Sequence, residues 1–273
     1  VFIIFGSDEM SSIINLSVIL PTFNEEENLK FLIPDLIENF SVLTNLKYEI
    51  IVVDDNSNDN TLEVLNKFNE NHKNVRIYVR DKNPSLPMSI YDGIEKSNFD
   101  NVMWLDADGS MPAFVAKQLI EKFETNTDSV IIGSRFVEGG GYKGVESDGN
   151  NSLFKTFKNV YKSEDSLLAV FLSRIFNFLL IFLLKSEVKD ITSGFIIGKK
   201  DYFKKESFTR ANYGDYFIYL MSSLKKQNVK TVEIGYICLT RQFGKSKTAN
   251  NILDLALKGW PYIKAAIISR IEK

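Results

Sequence analysis

Apolar runs that stop abruptly at polar clusters recur along the first half of the chain. Ile14 to Leu20 reads as a buried strand, and Pro21-Thr22-Phe23-Asn24 ends it. Three glutamates, Glu25, Glu26 and Glu27, then occupy a first helical turn, where the helix dipole favours negative charge. Leu29, Leu32, Ile33, Leu36, Ile37 and Phe40 continue at helical spacing, and Pro34 is expected to kink or restart that helix.

The unit repeats. Tyr48 to Val53 is a second apolar, β-branched run, closed by Asp54-Asp55-Asn56-Ser57 and followed by a helical pattern from Thr61 to Phe68. Strands are expected at Val75 to Val79, Asn101 to Leu105 and Val130 to Ile132, with helices at Ser89 to Lys96 and Ala113 to Phe123. Such alternation predicts an α/β fold, a mostly parallel sheet with helices on both faces. Ligands of these sheets bind beyond the carboxyl ends of the strands, so the loops that begin at Pro21, Asp54 and Asp106 should meet in one crevice.

The second half is less regular. Residues 136–165 turn to Gly, Asn, Ser and Lys, the pattern of a long mobile loop. Leu167 to Leu184 is strongly apolar but interrupted by Arg174 and Asn177, which favours a buried or interfacial helix over a transmembrane one. A strand is expected from Val232 to Leu239. Ile252 to Ile271 mixes apolar residues with Lys258, Lys264, Arg270, Trp260 and Tyr262. That composition suits either the headgroup layer of a bilayer or a packed helix pair broken at Pro261. Residues 1–12 are expected to be a disordered leader, so the catalytic domain should span 13–248, with 166–184 as an acceptor-side helix and 249–273 as a membrane-proximal segment.

Composition narrows the chemistry. A length of 273 residues suits one catalytic unit, and a formal charge of -2 provides no global field for nucleic acid. The single cysteine, Cys238, excludes a disulfide framework and a cysteine-rich zinc site, and the lone His72 lies among polar residues as a surface loop residue would.

Asp106-Ala107-Asp108 follows an apolar strand, and residues two apart on extended chain point the same way, so both carboxylates can face the crevice. Such a pair suits Mg²⁺ or Mn²⁺, hard cations that take oxygen ligands. The stretch Arg241-Gln242-Phe243-Gly244-Lys245-Ser246-Lys247 reads either as a phosphate clamp or as a solvated basic loop. Three other motif matches fail on context. Gly139, Gly141 and Gly144 lead into polar loop and not into a helix. Gly244-Lys245-Ser246 lacks the earlier glycine of a P-loop, because Leu239 stands there. The Asp55 loop has Asn66 where a calcium loop needs Glu.

Six segments in order carry a resemblance: Leu20-Pro21-Thr22-Phe23-Asn24-Glu25, Val53-Asp54-Asp55-Asn56-Ser57, Asp106-Ala107-Asp108, Gly133-Ser134-Arg135-Phe136, Asp190-Ile191-Thr192-Ser193-Gly194-Phe195, and Arg241 with Gly244, Ser246 and Lys247. Over roughly Ile13 to Thr248 the chain resembles family 2 glycosyltransferases of the GT-A fold, most closely the dolichyl- or polyprenyl-phosphate sugar transferases.

The resemblance implies a Rossmann-like sheet and C-terminal interfacial helices. It also implies transfer of a hexose, with inversion, from a nucleotide-diphosphate donor such as GDP-mannose or UDP-glucose to a polyprenyl phosphate at the cytoplasmic face of a membrane. Pro21, Phe23, Glu25, Val53, Asp55 and Ala107 would hold the nucleotide, Asp55 by accepting hydrogen bonds from the base, while Asp54 would brace its loop. Asp106 and Asp108 would hold the metal. Arg135, Arg174, Arg241, Ser246 and Lys247 would bind phosphates of donor or acceptor. The family's Phe-Gln-x-Glu is absent, since Phe217-Ile218-Tyr219-Leu220 stands there, and Ser110 replaces a metal-proximal Gln. The nearest carboxylate, Asp215, reads as a catalytic base for a saccharide hydroxyl acceptor or as a cap of the following helix. A third reading is a non-catalytic sugar-nucleotide-binding module.

Overall fold

The computed structural model describes residues 13–142, 145–146, 164–241, 243 and 252–272. The expected leader, most of the 136–165 loop, and Ser246 and Lys247 lie outside the described residues.

Strands β1 (Ile14–Thr22), β2 (Leu46–Asp54), β3 (Val75–Val79), β4 (Asn101–Trp104) and β5 (Ser129–Ser134) alternate with helices α1 (Glu26–Ser41), α2 (Thr61–Asn71), α3 (Leu86–Lys96) and α4 (Ala113–Glu124). The central strands are apolar on both faces because helices cover both. Met103, Ile131 and Phe195 pack toward α1 and α4; Trp104, Ile132 and Ile196 pack toward the opposite layer. Pro34 does not restart α1, which runs unbroken from Glu26 to Ser41. Both Pro34 and Lys30, whose carbonyl it leaves unpaired, are exposed, so water replaces the lost hydrogen bond.

The remaining elements are the hairpin β6 (Gly141–Tyr142) and β7 (Val145–Glu146), helix α5 (Glu164–Leu184), β8 (Ile196–Lys199), the short α6 (Glu206–Thr209), α7 (Tyr216–Lys226), β9 (Lys230–Gly235), β10 (Ile237–Cys238) and α8 (Ile252–Ile271). The seven-stranded sheet has the order β3-β2-β1-β4-β8-β5-β9. β8 alone runs antiparallel to its neighbours, between β4 and β5. The single strand expected at Val232 to Leu239 is divided: β9 ends at Gly235, and Ile237–Cys238 joins β6 and β7 in a second, small sheet. Of the two readings of Ile252 to Ile271, the helix pair broken at Pro261 does not form, since α8 is one helix, with Ala265, Ala266 and Ser269 in the core.

Candidate active site

The strand order reverses between β1 and β4, and the loops beyond their carboxyl ends form the site. Asn24, at φ 56°, turns the first loop. Its N–H donates to Ser57 Oγ at 2.8 Å, and its Oδ1 accepts from Asn58 N–H at 2.8 Å, locking the β1 loop to the β2 loop. Asp54 accepts from the N–H and hydroxyl of Ser57 and thus braces its loop. Pro21 and Val53 lie opposite each other in register, both buried.

Asp55 is spent largely within the protein. One oxygen pairs with Arg80 and the other accepts from Ser85 N–H, in a side chain 5% exposed. Arg80 also donates to Asp92 at 2.8 Å. A nucleotide base can reach only the second lone pairs of those oxygens. Sequence reasoning missed Arg80, although it directly follows β3 at the same carboxyl edge that singled out Asp54 and Asp106.

Beyond β4, Asp106-Ala107-Asp108 turns at Gly109, whose φ of 76° suits a residue without a side chain. Asp108 Oδ1 accepts from Ser110 N–H at 2.9 Å. Its other oxygen lies 3.2 Å from Arg241, which also donates to Glu25 Oε1 at 2.8 Å. Arg241 therefore joins the β1 loop to the metal-type carboxylates. The segment that carries it is tied down by Leu239 N–H to Ser110 O at 2.9 Å, by Asn28 to Phe243 O at 3.3 Å, and by Phe243 stacked on Phe31 at 5.7 Å. The solvated-loop reading does not describe Arg241.

Burial, then the Asp108 charge, pushes the Asp106 carboxyl up to about 7, against the opposing pull of Arg135 and Arg241. Asp106 is also close enough to raise the phenols of Tyr216 and Tyr262, where burial is the larger cause. Among the described residues no three His, Cys, Asp or Glu side chains gather into a complete metal cage. Asp106 and Asp108 fit an ion that keeps open positions for diphosphate oxygens and water, which is the habit of Mg²⁺ and Mn²⁺.

Arg135 makes a bidentate pair with Asp190, at 2.8 and 2.7 Å, donates to Thr192 at 2.8 Å, and lies over the rings of Phe136 and Tyr142. Asp190 is held in turn by Glu233, which accepts from Asp190 N–H at 3.0 Å, and Asn177 of α5 accepts from Ile191 N–H at 3.2 Å. Arg174 is half-buried on α5, and the neighbouring Ser173 meets the Tyr142 hydroxyl at 3.1 Å.

Asp215 does not cap α7. It is buried and accepts from Asn212 N–H at 3.0 Å and Tyr213 N–H at 2.7 Å, fixing the turn before the helix. The same turn approaches α8 closely: a Cβ at Gly214 would lie 2.2 Å from the Tyr262 hydroxyl.

An α/β sheet of the Rossmann-like class thus gathers paired aspartates, an arginine and a glutamate at its switch point, where ligands of such sheets bind. The model of the family described as glycosyl transferase family 2 matches residues 17–206. The chain belongs to that family.

Among curated relatives, a dolichol-phosphate mannosyltransferase of Pyrococcus furiosus is 38% identical over 125 residues, 46% of this chain and 34% of the relative. A poly(ribitol-phosphate) β-N-acetylglucosaminyltransferase of Staphylococcus aureus is 32% identical over 128 residues, 46% of this chain and 38% of that protein. The aligned segments thus span little more than a third of those relatives. Among solved structures, glucosyl-3-phosphoglycerate synthase from Mycobacterium tuberculosis, in complex with Mn²⁺, uridine diphosphate and phosphoglyceric acid, superposes with a TM-score of 0.60 at 16% identity, covering 94% of this chain and 78% of that one. S. aureus TarS residues 1–349 in complex with UDP-GlcNAc gives 0.52 at 16% identity, over 87% and 62%. These likenesses establish the GT-A type of fold expected from the sequence.

Proposed function

We propose that the protein transfers a hexose from a nucleoside diphosphate sugar to a polyprenyl phosphate, with inversion, at the cytoplasmic face of a membrane. The observation that carries this reading is the convergence of Asp106, Asp108, Glu25 and Arg241 at the β1/β4 switch point. The dolichol-phosphate mannosyltransferase relative supports the acceptor class.

In this reading Asp106 and Asp108 hold Mg²⁺ or Mn²⁺, which when bound neutralises charge on the departing diphosphate. Pro21, Phe23, Val53 and Ala107 line the base and ribose, with Asp55 fixed behind them by Arg80. Glu25 holds the Arg241 guanidinium beside the carboxylates, where it donates to phosphate oxygens in the charge-assisted manner. Arg174, Ser246 and Lys247 are assigned to the acceptor or donor phosphates. Arg135, held by Asp190 and Thr192, is a further candidate for the donor's phosphates. An acceptor phosphate is ionised near neutral pH and needs no strong base, so cations take over most of the catalytic burden.

A second reading, transfer to a saccharide hydroxyl, is favoured by Asp215, a buried carboxylate whose charge reaches Tyr262 as that of Asp106 does. The relative acting on poly(ribitol-phosphate) is consistent with it. A silent sugar-nucleotide-binding module fits less well, because Arg241 is drawn onto Asp108 and Glu25 instead of being left in solvent.

The test is release of nucleoside diphosphate from GDP-mannose, UDP-glucose and UDP-N-acetylglucosamine with Mn²⁺ or Mg²⁺, with and without a short polyprenyl phosphate. Release from one donor that depends on the lipid phosphate is expected. Turnover indifferent to it, and lost in Asp215→Asn, would move the assignment to the hydroxyl acceptor. Metal-independent nucleotide binding without turnover would leave the silent module.

A further inference from the structure

Helices α5 and α8 lie side by side, joined by Phe176 against Tyr262 and by Arg270 donating to Leu183 O at 2.9 Å. Each helix faces the core with one side: Asn177, Leu180 and Leu184 on α5, and Ala265, Ala266 and Ser269 on α8. The opposite side of α5 presents Ile175, Phe178, Leu179 and Phe182 at helical spacing, with Phe178 70% and Phe182 69% exposed. On α8 the outward positions are Trp260, Lys264, Ile267 and Ile271, with Trp260 61% exposed. Together they make one apolar, aromatic-rich face across two adjacent helices. A contiguous face of this kind marks an interaction surface, whereas scattered exposed leucines would not.

Its surroundings say what covers it. The chain as a whole is slightly acidic, at -2, yet the two segments are rimmed by the exposed cations Lys185, Lys189, Lys264 and Arg270. Against these stand Glu187 and Glu272, and Glu272 is already paired with Arg210 at 2.6 Å. A cavity of ≈ 220 Å³ opens at the carboxyl ends of both helices, between Leu184, Ser186, Met221 and Ser269, and adds Lys225 and Lys226. Apolar side chains ringed by cations, with a tryptophan at the border, are complementary to acyl chains beneath anionic headgroups. Among the described residues, neither helix is long and apolar enough to cross a bilayer.

We infer that the α5/α8 face is a lipid-docking surface that rests in the interfacial layer of an anionic membrane. This deepens the lipid-acceptor reading and rests on it for its purpose. The inner side of the same helices carries Ser173, Arg174 and Tyr262, so a docked molecule brings the candidate acceptor side of the site toward the lipid surface.

The experiment is flotation of the purified full chain with vesicles of phosphatidylcholine and phosphatidylglycerol that contain no polyprenyl phosphate and no donor. The wild type is compared with Phe178→Ser/Phe182→Ser/Trp260→Ser, whose altered positions are exposed and outside the core. The wild type should float with anionic vesicles and partition less to pure phosphatidylcholine, and the triple variant should bind roughly a hundredfold more weakly. A wild type that stays soluble, or a variant that floats equally well, overturns the inference. So does a wild-type dimer that the triple variant abolishes, since the face would then belong to a second copy. Turnover of a short, water-soluble polyprenyl phosphate by the triple variant separates the two claims. Activity retained there with flotation lost supports docking, whereas absent turnover in wild type and variant alike fails the acceptor reading and leaves the flotation result standing.

Discussion

Asp108 illustrates how much of the site turns on single atoms. One oxygen holds the Ser110 N–H and the other meets Arg241, so Asp108→Asn keeps the shape and removes the charge. Mn²⁺-dependent release of nucleoside diphosphate should be abolished while the thermal midpoint moves by less than about 3 °C. Full activity in that variant would dismiss the metal assignment. Arg241→Ala should cost about 2–3 kcal/mol in kcat/KM through lost charge-assisted phosphate contacts; unchanged kinetics would return the residue to a structural role. Arg80→Met leaves Asp55 buried without its counter-charge, and urea unfolding should show a loss of about 3–5 kcal/mol. At this scale the sequence was informative where a rule of position applied. Asp106, Asp108 and Asp54 announced themselves by following apolar strands. Glu233 and Arg80 did not, because what gives them importance is a partner far away in sequence.

Elements differ in how far local pattern specifies them. Val75–Val79 appears at the bounds its apolar run predicts, β1, β2 and β5 extend a residue or two beyond theirs, and β4 stops one residue short at Trp104, because burial on both faces demands continuous apolar sequence. β8 was invisible: Ile196–Lys199 is four residues with a glycine, and only its insertion between β4 and β5 makes it a strand. The prolines misled in the other direction, since solvent at Pro34 and core packing around Pro261 both let a helix continue. The contact of α8 with the Asp215 turn gives a test of how elements communicate. Gly214→Ala should destabilise by about 1–3 kcal/mol by pressing on the Tyr262 hydroxyl. Tyr262→Phe should recover part of that loss in the double variant, so that a double-mutant cycle in urea shows a coupling of at least about 0.5 kcal/mol. Strict additivity would mean that the turn and the helix do not press on one another.

For the molecule as a whole, the carboxylates at the switch point set a pH dependence. Asp106 is raised well above an unfolded aspartate, so the metal-free fold holds a proton there that the unfolded chain has released. Its stability therefore declines as pH rises from about 4 toward about 7. A cation between the carboxylates needs that proton gone and removes the repulsion. The gap in thermal midpoint between Mn²⁺-loaded and metal-free protein should accordingly widen from about pH 6 to about pH 8, with proton release on binding below about pH 7. A gap independent of pH would place the ion elsewhere.

The close seat of Tyr262 against Gly214 also orders events in time. Strands β1 to β5, with Pro21, Asp55, Asp106 and Asp108, leave the ribosome before α5, the Asp215 turn and α8. β5 takes its place in the sheet through β8 and β9, so it waits for those later strands, and the turn at Asp215 waits for residue 262 to emerge and pack. The part of the sheet made of β1, β2 and β4 is thus complete in sequence before the elements that close the Asp215 side of the molecule.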